Sequence, residues 1–454
     1  DEVRLEDVNI KDLEGRDMIS VKEVYVNCET NFKFDGAKIV SFDNNLDFVM
    51  LTDPNVRLIR EENGKLNIDL WLSKIGSLKG KKDSLLPRKT EPFTIDEAVI
   101  QNGKFTLVDS YKERFPKKLF DYSNFEINGI SGNLKDFFIH RDTITFEGTG
   151  IKGLEPRSNL VIKKIETDFF YSKRKILLKK LDARINNSIV KNFLGLYFDK
   201  PSDLNKLITK VNLKGNLRNS VFDSQDLGRF SSSMYAYKEK FKLNADVHGL
   251  VSDLYFENAD LGFGEESNIA GKGHFKGLPN VKETFYHMEV APSVINAPDA
   301  RQYAGDENYF EYVGQFQKIN FNGLFKGTFD NFFTDLDIAS SNLGHVNGKL
   351  VFEVEPLSGL PVYNADILKS SIDIGKITGN KALKEITFKG RLQGAGSSVN
   401  NASIDMDGRI SELWFNDYNF QNIDVTGLLR QSVFDGKVSV ADPNSVANVV
   451  GKVD

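Results

Sequence analysis

Apolar and polar residues alternate along Ile319-Asn320-Phe321-Asn322-Gly323-Leu324-Phe325-Lys326-Gly327-Thr328-Phe329. Successive side chains of an extended strand point to opposite faces. Ile319, Phe321, Phe325 and Phe329 therefore share one face, and Asn320, Asn322, Lys326 and Thr328 the other. Gly323 and Gly327 interrupt the apolar face. Glycine weakens a strand unless the backbone bends or another backbone comes close, so the pattern predicts a bent sheet with an apolar concave side.

The pattern recurs. An apolar-x-apolar-x-Gly-x-apolar template fits Val211-Leu213-Gly215-Leu217, Ala245-Val247-Gly249-Val251, Ile386-Phe388-Gly390-Leu392, Ile404-Met406-Gly408-Ile410 and Ile423-Val425-Gly427-Leu429. The last three copies start 18 and 19 residues apart, about the length of a strand pair with its turns. Such a repeat points to stacked units that bury their faces against neighbours.

Earlier in the chain, strands are expected over Ile19 to Cys28, Lys38 to Phe42, Val56 to Arg60 and Lys65 to Leu72. In the last of these Leu66, Ile68, Leu70 and Leu72 alternate with Asn67 and Asp69. Asp53-Pro54-Asn55 and Glu61-Glu62-Asn63-Gly64 carry turn chemistry. A charged stretch from Lys79 to Asp83, ending near Pro87, reads as an exposed loop, or else as a contact for a lipid headgroup or partner. Strands resume at Phe93 to Ile95, Gly103 to Val108, Phe125 to Ile130 and Ile144 to Gly148. Short helices punctuate the chain at Ser202-Asp203, with Leu204, Leu207 and Ile208 on one face, and between Pro298 and Gly305. Strand length plus turn gives roughly thirty strands, and two short helices cannot cover the apolar face of such a sheet. The domains expected are an N-terminal β region over 1–120 and repeated β units over 121–454.

Composition narrows the function classes. Of 454 residues 40% are hydrophobic and 27% charged, and 59 basic and 64 acidic residues give a net charge of −5. No basic stripe stands out, which argues against nucleic acid as a partner. The longest apolar run, Phe193 to Phe198, is far shorter than the roughly 20 residues of a membrane-crossing helix. The chain opens on Asp1 without a signal segment, so both ends are expected to be cut from a longer protein whose membrane anchor lies outside. Cys28 is the single cysteine, which excludes an internal disulfide and a cysteine-based zinc site. Phenylalanine is abundant, 35 Phe against 14 Tyr and 2 Trp. Core filling accounts for many of these rings, and a Phe-rich face without polar handles also suits hydrocarbon.

Catalytic and metal chemistry find no footing. His140, His248, His274, His287 and His345 are scattered singly, without a ligand pair. Asp335 with Asp337, and Asp405 with Asp407, each place two carboxylates on one side of a strand. They could chelate calcium, but they lack a supporting glycine loop, and a solvated face that discourages edge pairing is the preferred reading. Gly271-Lys272-Gly273 and Gly394-Ala395-Gly396 are not phosphate loops, since neither opens a helix or ends in Gly-Lys-Ser/Thr. There is no Gly-x-Ser-x-Gly elbow. The expectation is a protein that is not an enzyme and uses no cofactor.

The opening, Val3-Arg4-Leu5-Glu6-Asp7-Val8-Asn9-Ile10 through Asp53-Pro54-Asn55-Val56-Arg57-Leu58-Ile59-Arg60 to Gly64-Lys65-Leu66-Asn67-Ile68, resembles the N-terminal region of AsmA-like envelope proteins. Gly277-Leu278-Pro279-Asn280, Gly323-Leu324-Phe325-Lys326-Gly327, Ile372-Asp373-Ile374-Gly375-Lys376, Asp442-Pro443-Asn444 and Gly451-Lys452-Val453-Asp454 resemble TamB proteins of the Bacteroidota type. The resemblance runs from end to end. It implies a mainly β, elongated repeating β-groove, a taco-like curved sheet with an apolar lumen. It also implies a periplasmic place in a diderm bacterium, with an inner-membrane anchor and an Omp85-type outer-membrane barrel as partner. This chain lacks the anchor and any segment matching the barrel-contacting domain, so both attachments are expected outside it.

Three functions follow as expectations. The first is a conduit moving phospholipid between inner and outer membranes, its acyl chains held along Val211, Leu213, Leu217, Ile319, Phe321, Phe325, Phe329, Ile386, Phe388, Leu392, Ile404, Met406 and Ile410. The second is a scaffold or chaperone for outer-membrane protein assembly, pairing open sheet edges with client strands. The third is a β-sandwich binding module in which the apolar face is ordinary core.

Overall fold

A computed structural model describes residues 2–27, 33–35, 38–41, 45–78, 92–303, 314–396, 401–430 and 433–453. Cys28, Phe42, the charged stretch after Lys79 and Gly305 lie outside the described residues. The fold is mainly β, with a few short helices and 24 strands in the main sheet structure. Two compact units divide the chain, Asp1–Val251 and Ser252–Asp454. Residue 120, where a boundary was expected, falls inside the first unit, in the connection 110–124.

The first unit contains β1 (Glu2–Lys11), β2 (Asp17–Asn27), β3 (Lys33–Asp35), β4 (Lys38–Ser41), β5 (Asn45–Thr52) and β6 (Asn55–Arg60). After the helix α1 (Asn67–Leu78) come β7 (Phe93–Asp109), β8 (Phe125–His140), β9 (Thr143–Glu155) and β10 (Leu160–Ser172). β11 (Lys175–Ile185), β12 (Ser188–Tyr197), β13 (Asn212–Asp223) and β14 (Lys240–Leu250) complete it. β5 and β6 act as one strand broken at Asp53-Pro54, antiparallel to β2 and parallel to β7. Parallel neighbours need a long crossover, and α1 lies within it. From β7 onward each strand pairs antiparallel with the next.

The strand expected over Lys65 to Leu72 is corrected here, because the chain is helical from Asn67. Ile68, Trp71, Leu72 and Ile75 recur at three- and four-residue spacing, the period of a helix. Its start is fixed by Asn67, which is 2% exposed. The Asn67 carboxamide oxygen accepts from the N–H groups of Ile59 and Ile68, both at 3.0 Å, and its NH₂ donates to Asp12 Oδ2 at 3.1 Å. Asp69 in the first turn complements the positive helix end.

The second unit is a twelve-stranded antiparallel meander. Its strands are β15 (Asp253–Phe263), β16 (Ser267–Lys276), β17 (Phe285–Asn296), β18 (Lys318–Gly327), β19 (Asn331–Ser340) and β20 (Gly344–Val354). They continue as β21 (Pro361–Asp373), β22 (Leu383–Ala395), β23 (Ser403–Phe415), β24 (Tyr418–Arg430), β25 (Val433–Asp442) and β26 (Ser445–Val453). Every strand hydrogen-bonds to its neighbours in sequence. β18 ends at Gly327, two residues short of Phe329. Phe93 to Ile95 and Gly103 to Val108, expected as two strands, are one. Twenty-six strands are described against the thirty expected.

Bulges interrupt the ladders, and buried hydroxyls satisfy the backbone groups they release. Ser220 Oγ accepts from Lys191 N–H at 3.0 Å, and Ser293 Oγ from Ala270 N–H at 2.9 Å. Ser370 Oγ donates to Phe388 O at 2.9 Å.

Candidate functional site

Directly opposed residues of an antiparallel pair point to the same side, so register alone assigns each side chain of the second unit to a face. On β18, Ile319, Phe321, Gly323, Phe325 and Gly327 share one side. Following the pairing outward from Phe325 gives Met288, Phe325, Thr334, Leu350, Ala365, Leu392, Met406, Gly427, Gly436 and Gly451 across ten strands. The row through Gly327 reads Tyr286, Gly327, Phe332, Phe352, Tyr363, Gly394, Ile404, Leu429 and Phe434. The row through Gly323 reads Val290, Gly323, Leu336, Gly348, Ile367, Gly390, Gly408, Val425, Val438 and Val449. In these three rows Thr334 is the one aliphatic polar side chain, and it is 6% exposed between larger neighbours.

This face is flanked but not covered. Ala365, Val290, Ile423 and Val425 are buried, at 9%, 9%, 6% and 7% exposure, and so is the ring of Tyr286 on β17, at 7%. The large ones between them, among them Phe321, Phe325, Phe332, Phe352, Phe388, Leu392 and Met406, are only half-buried. Central positions of a sheet backed by a second layer become fully buried core. Here, within the second unit, the described strands pack against their neighbours in sequence, which shelter the flanks of each side chain and leave the large ones partly accessible. The rings stack along the face instead: Phe325 on Phe332 at 5.2 Å between centroids, and Phe332 on Phe352 at 4.9 Å. Such pairs contribute about 0.5–1.5 kcal/mol each beyond their buried area.

Gly323 shows why glycine recurs here. Its φ is +131°, and an added Cβ would lie 2.1 Å from the Asp335 carbonyl oxygen of β19. The close approach expected from the sequence is present at this position.

The opposite face is polar. Asp335 pairs with Lys349 at 3.9 Å, Arg391 with Asp366 at 3.1 Å, Arg409 with Asp424 at 3.5 Å and Lys452 with Asp435 at 3.6 Å. Leu324, Phe333, Val351 and Leu428 are apolar exceptions on that side. Three of the four aspartates considered for calcium have cross-strand partners, Lys349 for Asp335, His345 for Asp337 at 2.5 Å and Thr426 for Asp407 at 3.2 Å. Among the described residues no three His, Cys, Asp or Glu side chains are grouped to hold a metal ion.

The first unit has a shorter version of the apolar face. Phe146, Phe169, Leu178, Leu194, Gly215 and Val247 are opposed from β9 to β14, beside a row of Ile144, Tyr171, Ile176, Leu196, Leu213 and Gly249. Phe146 stacks on Phe169 at 4.6 Å.

Nine of the thirteen residues expected to line the groove meet on one face of the second unit: Ile319, Phe321, Phe325, Ile386, Phe388, Leu392, Ile404, Met406 and Ile410. Each is half-buried. Leu213 is half-buried in the first unit, and Leu217 there is 7% exposed. Val211 precedes β13 and is 0% exposed, so it lines no open surface. Phe329 lies past the end of β18, 55% exposed, with its ring 5.1 Å from that of Tyr286. The sequence reading missed Phe332, Phe352, Tyr363 and Phe434. The signal for the first two was period-two alternation without a central glycine, which the template required.

No protein-family model matches the chain, and neither a curated protein nor a solved structure matches it.

Proposed function

We propose that the apolar face carries acyl chains, and that the protein is a TamB- or AsmA-like conduit moving phospholipid between the inner and outer membranes across the periplasm of a diderm bacterium. The observation that carries this reading is the half-burial of large apolar side chains at the centre of a twelve-stranded sheet, with rows that stay apolar from β17 to β26. An uncovered face of that extent is costly in water unless something apolar occupies it. Moving an acyl CH₂ from hydrocarbon to water costs about 0.8 kcal/mol, so a sixteen-carbon tail faces a barrier on the order of 12 kcal/mol unaided. A continuous apolar surface lowers that barrier without any chemical step, and the charged face opposite keeps the sheet hydrated. An inner-membrane anchor and an outer-membrane barrel of the Omp85 type are the partners this reading requires.

Photo-reactive side chains introduced at Phe325 and Leu392 test it. Capture of phospholipid there, and not at Asp366 on the opposite face, is the expected result. Capture of protein alone at all three positions would favour a scaffold for client strands and end the conduit reading.

A further inference from the structure

Away from the apolar face, the first unit carries a second surface with its own chemistry. The β7–β8 connection contains Ser110-Tyr111-Lys112-Glu113-Arg114-Phe115-Pro116-Lys117-Lys118-Leu119-Phe120, four cations and one anion in a chain whose net charge is −5. Residues 110–118 are all exposed. Arg114, Lys117 and Lys118 form no ion pair among the described residues. Phe115 is 44% exposed, and Phe230, from the segment between β13 and β14, is 45% exposed.

The loop is held in shape. Phe120 N–H donates to Arg229 O at 2.8 Å, Tyr235 Oη donates to Lys118 O at 2.9 Å, and Phe115 N–H donates to Asp121 Oδ2 at 3.2 Å. Beneath it Phe120 packs edge-on to Tyr122 at 5.2 Å and against Phe230 at 6.0 Å. Glu113 is the one exposed carboxylate of the loop, against its four cations, and the carboxylates packed beside it are engaged. Asp121 accepts backbone N–H groups, Asp226 pairs with Arg229 at 2.8 Å, and Glu155 holds the turn at Ser158. Tyr111 belongs to a different neighbourhood, since it lines a depression with Glu14, Glu61 and Glu62.

The geometry points to Arg114, Phe115, Lys117, Lys118 and Phe230 as a docking surface for an anionic phospholipid bilayer. Aromatic tips suit the headgroup boundary, where one end of the ring meets hydrocarbon and the other meets water. Cations held beside them gain from the negative surface potential, each adding to the affinity. Charge complementarity and apolar tips coincide on one braced loop. The inference is independent of the conduit reading, because it concerns where the first unit touches a membrane and not what the sheet face carries.

Vesicle sedimentation tests it with the full chain. Binding is expected to phosphatidylcholine vesicles containing phosphatidylglycerol, to weaken with salt, and to be absent with phosphatidylcholine alone. The variant Arg114→Gln/Lys117→Gln/Lys118→Gln is expected to bind about a hundredfold more weakly, with an unchanged circular dichroism spectrum. A matched control, Lys163→Gln/Lys389→Gln/Lys437→Gln, is expected to bind like the parent. Phe115→Trp in a background lacking Trp71 and Trp414 is expected to shift its emission to the blue on anionic vesicles. The proposal is overturned by a parent that binds neither vesicle or both equally, by a loop variant that binds like the parent, or by a control that loses as much.

Discussion

The ring of Phe388 on β22 lies over Gly408 of β23. A Cβ built on Gly408 would fall 2.6 Å from Phe388 Cε2 and 2.7 Å from Cζ. The two residues are not directly opposed, since Phe388 faces Ile410 and Gly408 faces Gly390. The ring therefore leans across to cover glycine, and Phe434 of β25 does the same over Gly427 of β24. Glycine on this face thus has a use besides bending or close approach, as a flat seat for an aromatic ring whose other side faces outward.

Gly408→Ala is expected to destabilise the protein by about 1–3 kcal/mol, the usual cost of forcing an extra carbon into a filled position. The Phe388→Leu/Gly408→Ala double variant is expected to recover part of that loss. Recovery stays incomplete because the Lys389 carbonyl oxygen, 2.6 Å from the same Cβ, does not move with the ring. Urea unfolding midpoints of the parent, both single variants and the double variant give the coupling directly. Purely additive losses would show that the ring does not rest on the glycine.

Phe325→Arg separates folding from cargo. Phe325 stacks on Phe332 and is half-buried, so the variant loses about 1 kcal/mol of ring packing while the long arginine stem can carry its charge outward. The expected outcome is an unchanged circular dichroism spectrum and a drop on the order of tenfold in co-purifying phospholipid, measured by extraction and mass spectrometry. Lys326→Ala, on the opposite face of the same strand, is expected to retain its lipid. Equal lipid on Phe325→Arg and the parent would count directly against acyl chains on this face.

Much of this face is legible from alternation alone, because period two fixes the side of every residue once a strand is recognised. Asn320, Asn322 and Lys326 are exposed, while Ile319, Phe321 and Phe325 are half-buried, as their spacing requires. The stretch after Lys65 was harder, because Leu66, Ile68, Leu70 and Leu72 alternate while Ile68, Trp71, Leu72 and Ile75 also follow a helical period. A short window satisfies both patterns. The bonds from Asn67 back to Asp12 and Ile59 hold the helix start against the sheet, and the first of them joins residues far apart in sequence. Register was hidden for the same reason. Nothing local says that Phe332 meets Phe352, or that the Phe388 ring reaches Gly408.

The Asp12 carboxylate gives the fold an acid limit with a definite sign. Burial pushes its pKa up, but donors outweigh burial: Asn67 at 3.1 Å, the Arg16 and Glu14 backbone N–H groups at 3.0 Å each, and the Arg16 guanidinium at 2.7 Å. The result lies below the ordinary aspartate value. A carboxylate with a depressed folded pKa stabilises fully above its unfolded value of about 3.9, and that stabilisation fades as pH falls through the folded value. Asp12→Asn, which keeps the shape and removes the charge, is expected to cost about 1–3 kcal/mol at pH 7. The gap between variant and parent should narrow once the pH drops below about 4. Unfolding midpoints at neutral and strongly acid pH measure that gap, and a gap of the same size at both would show that the ionised carboxylate does not hold the β1–β2 turn to α1.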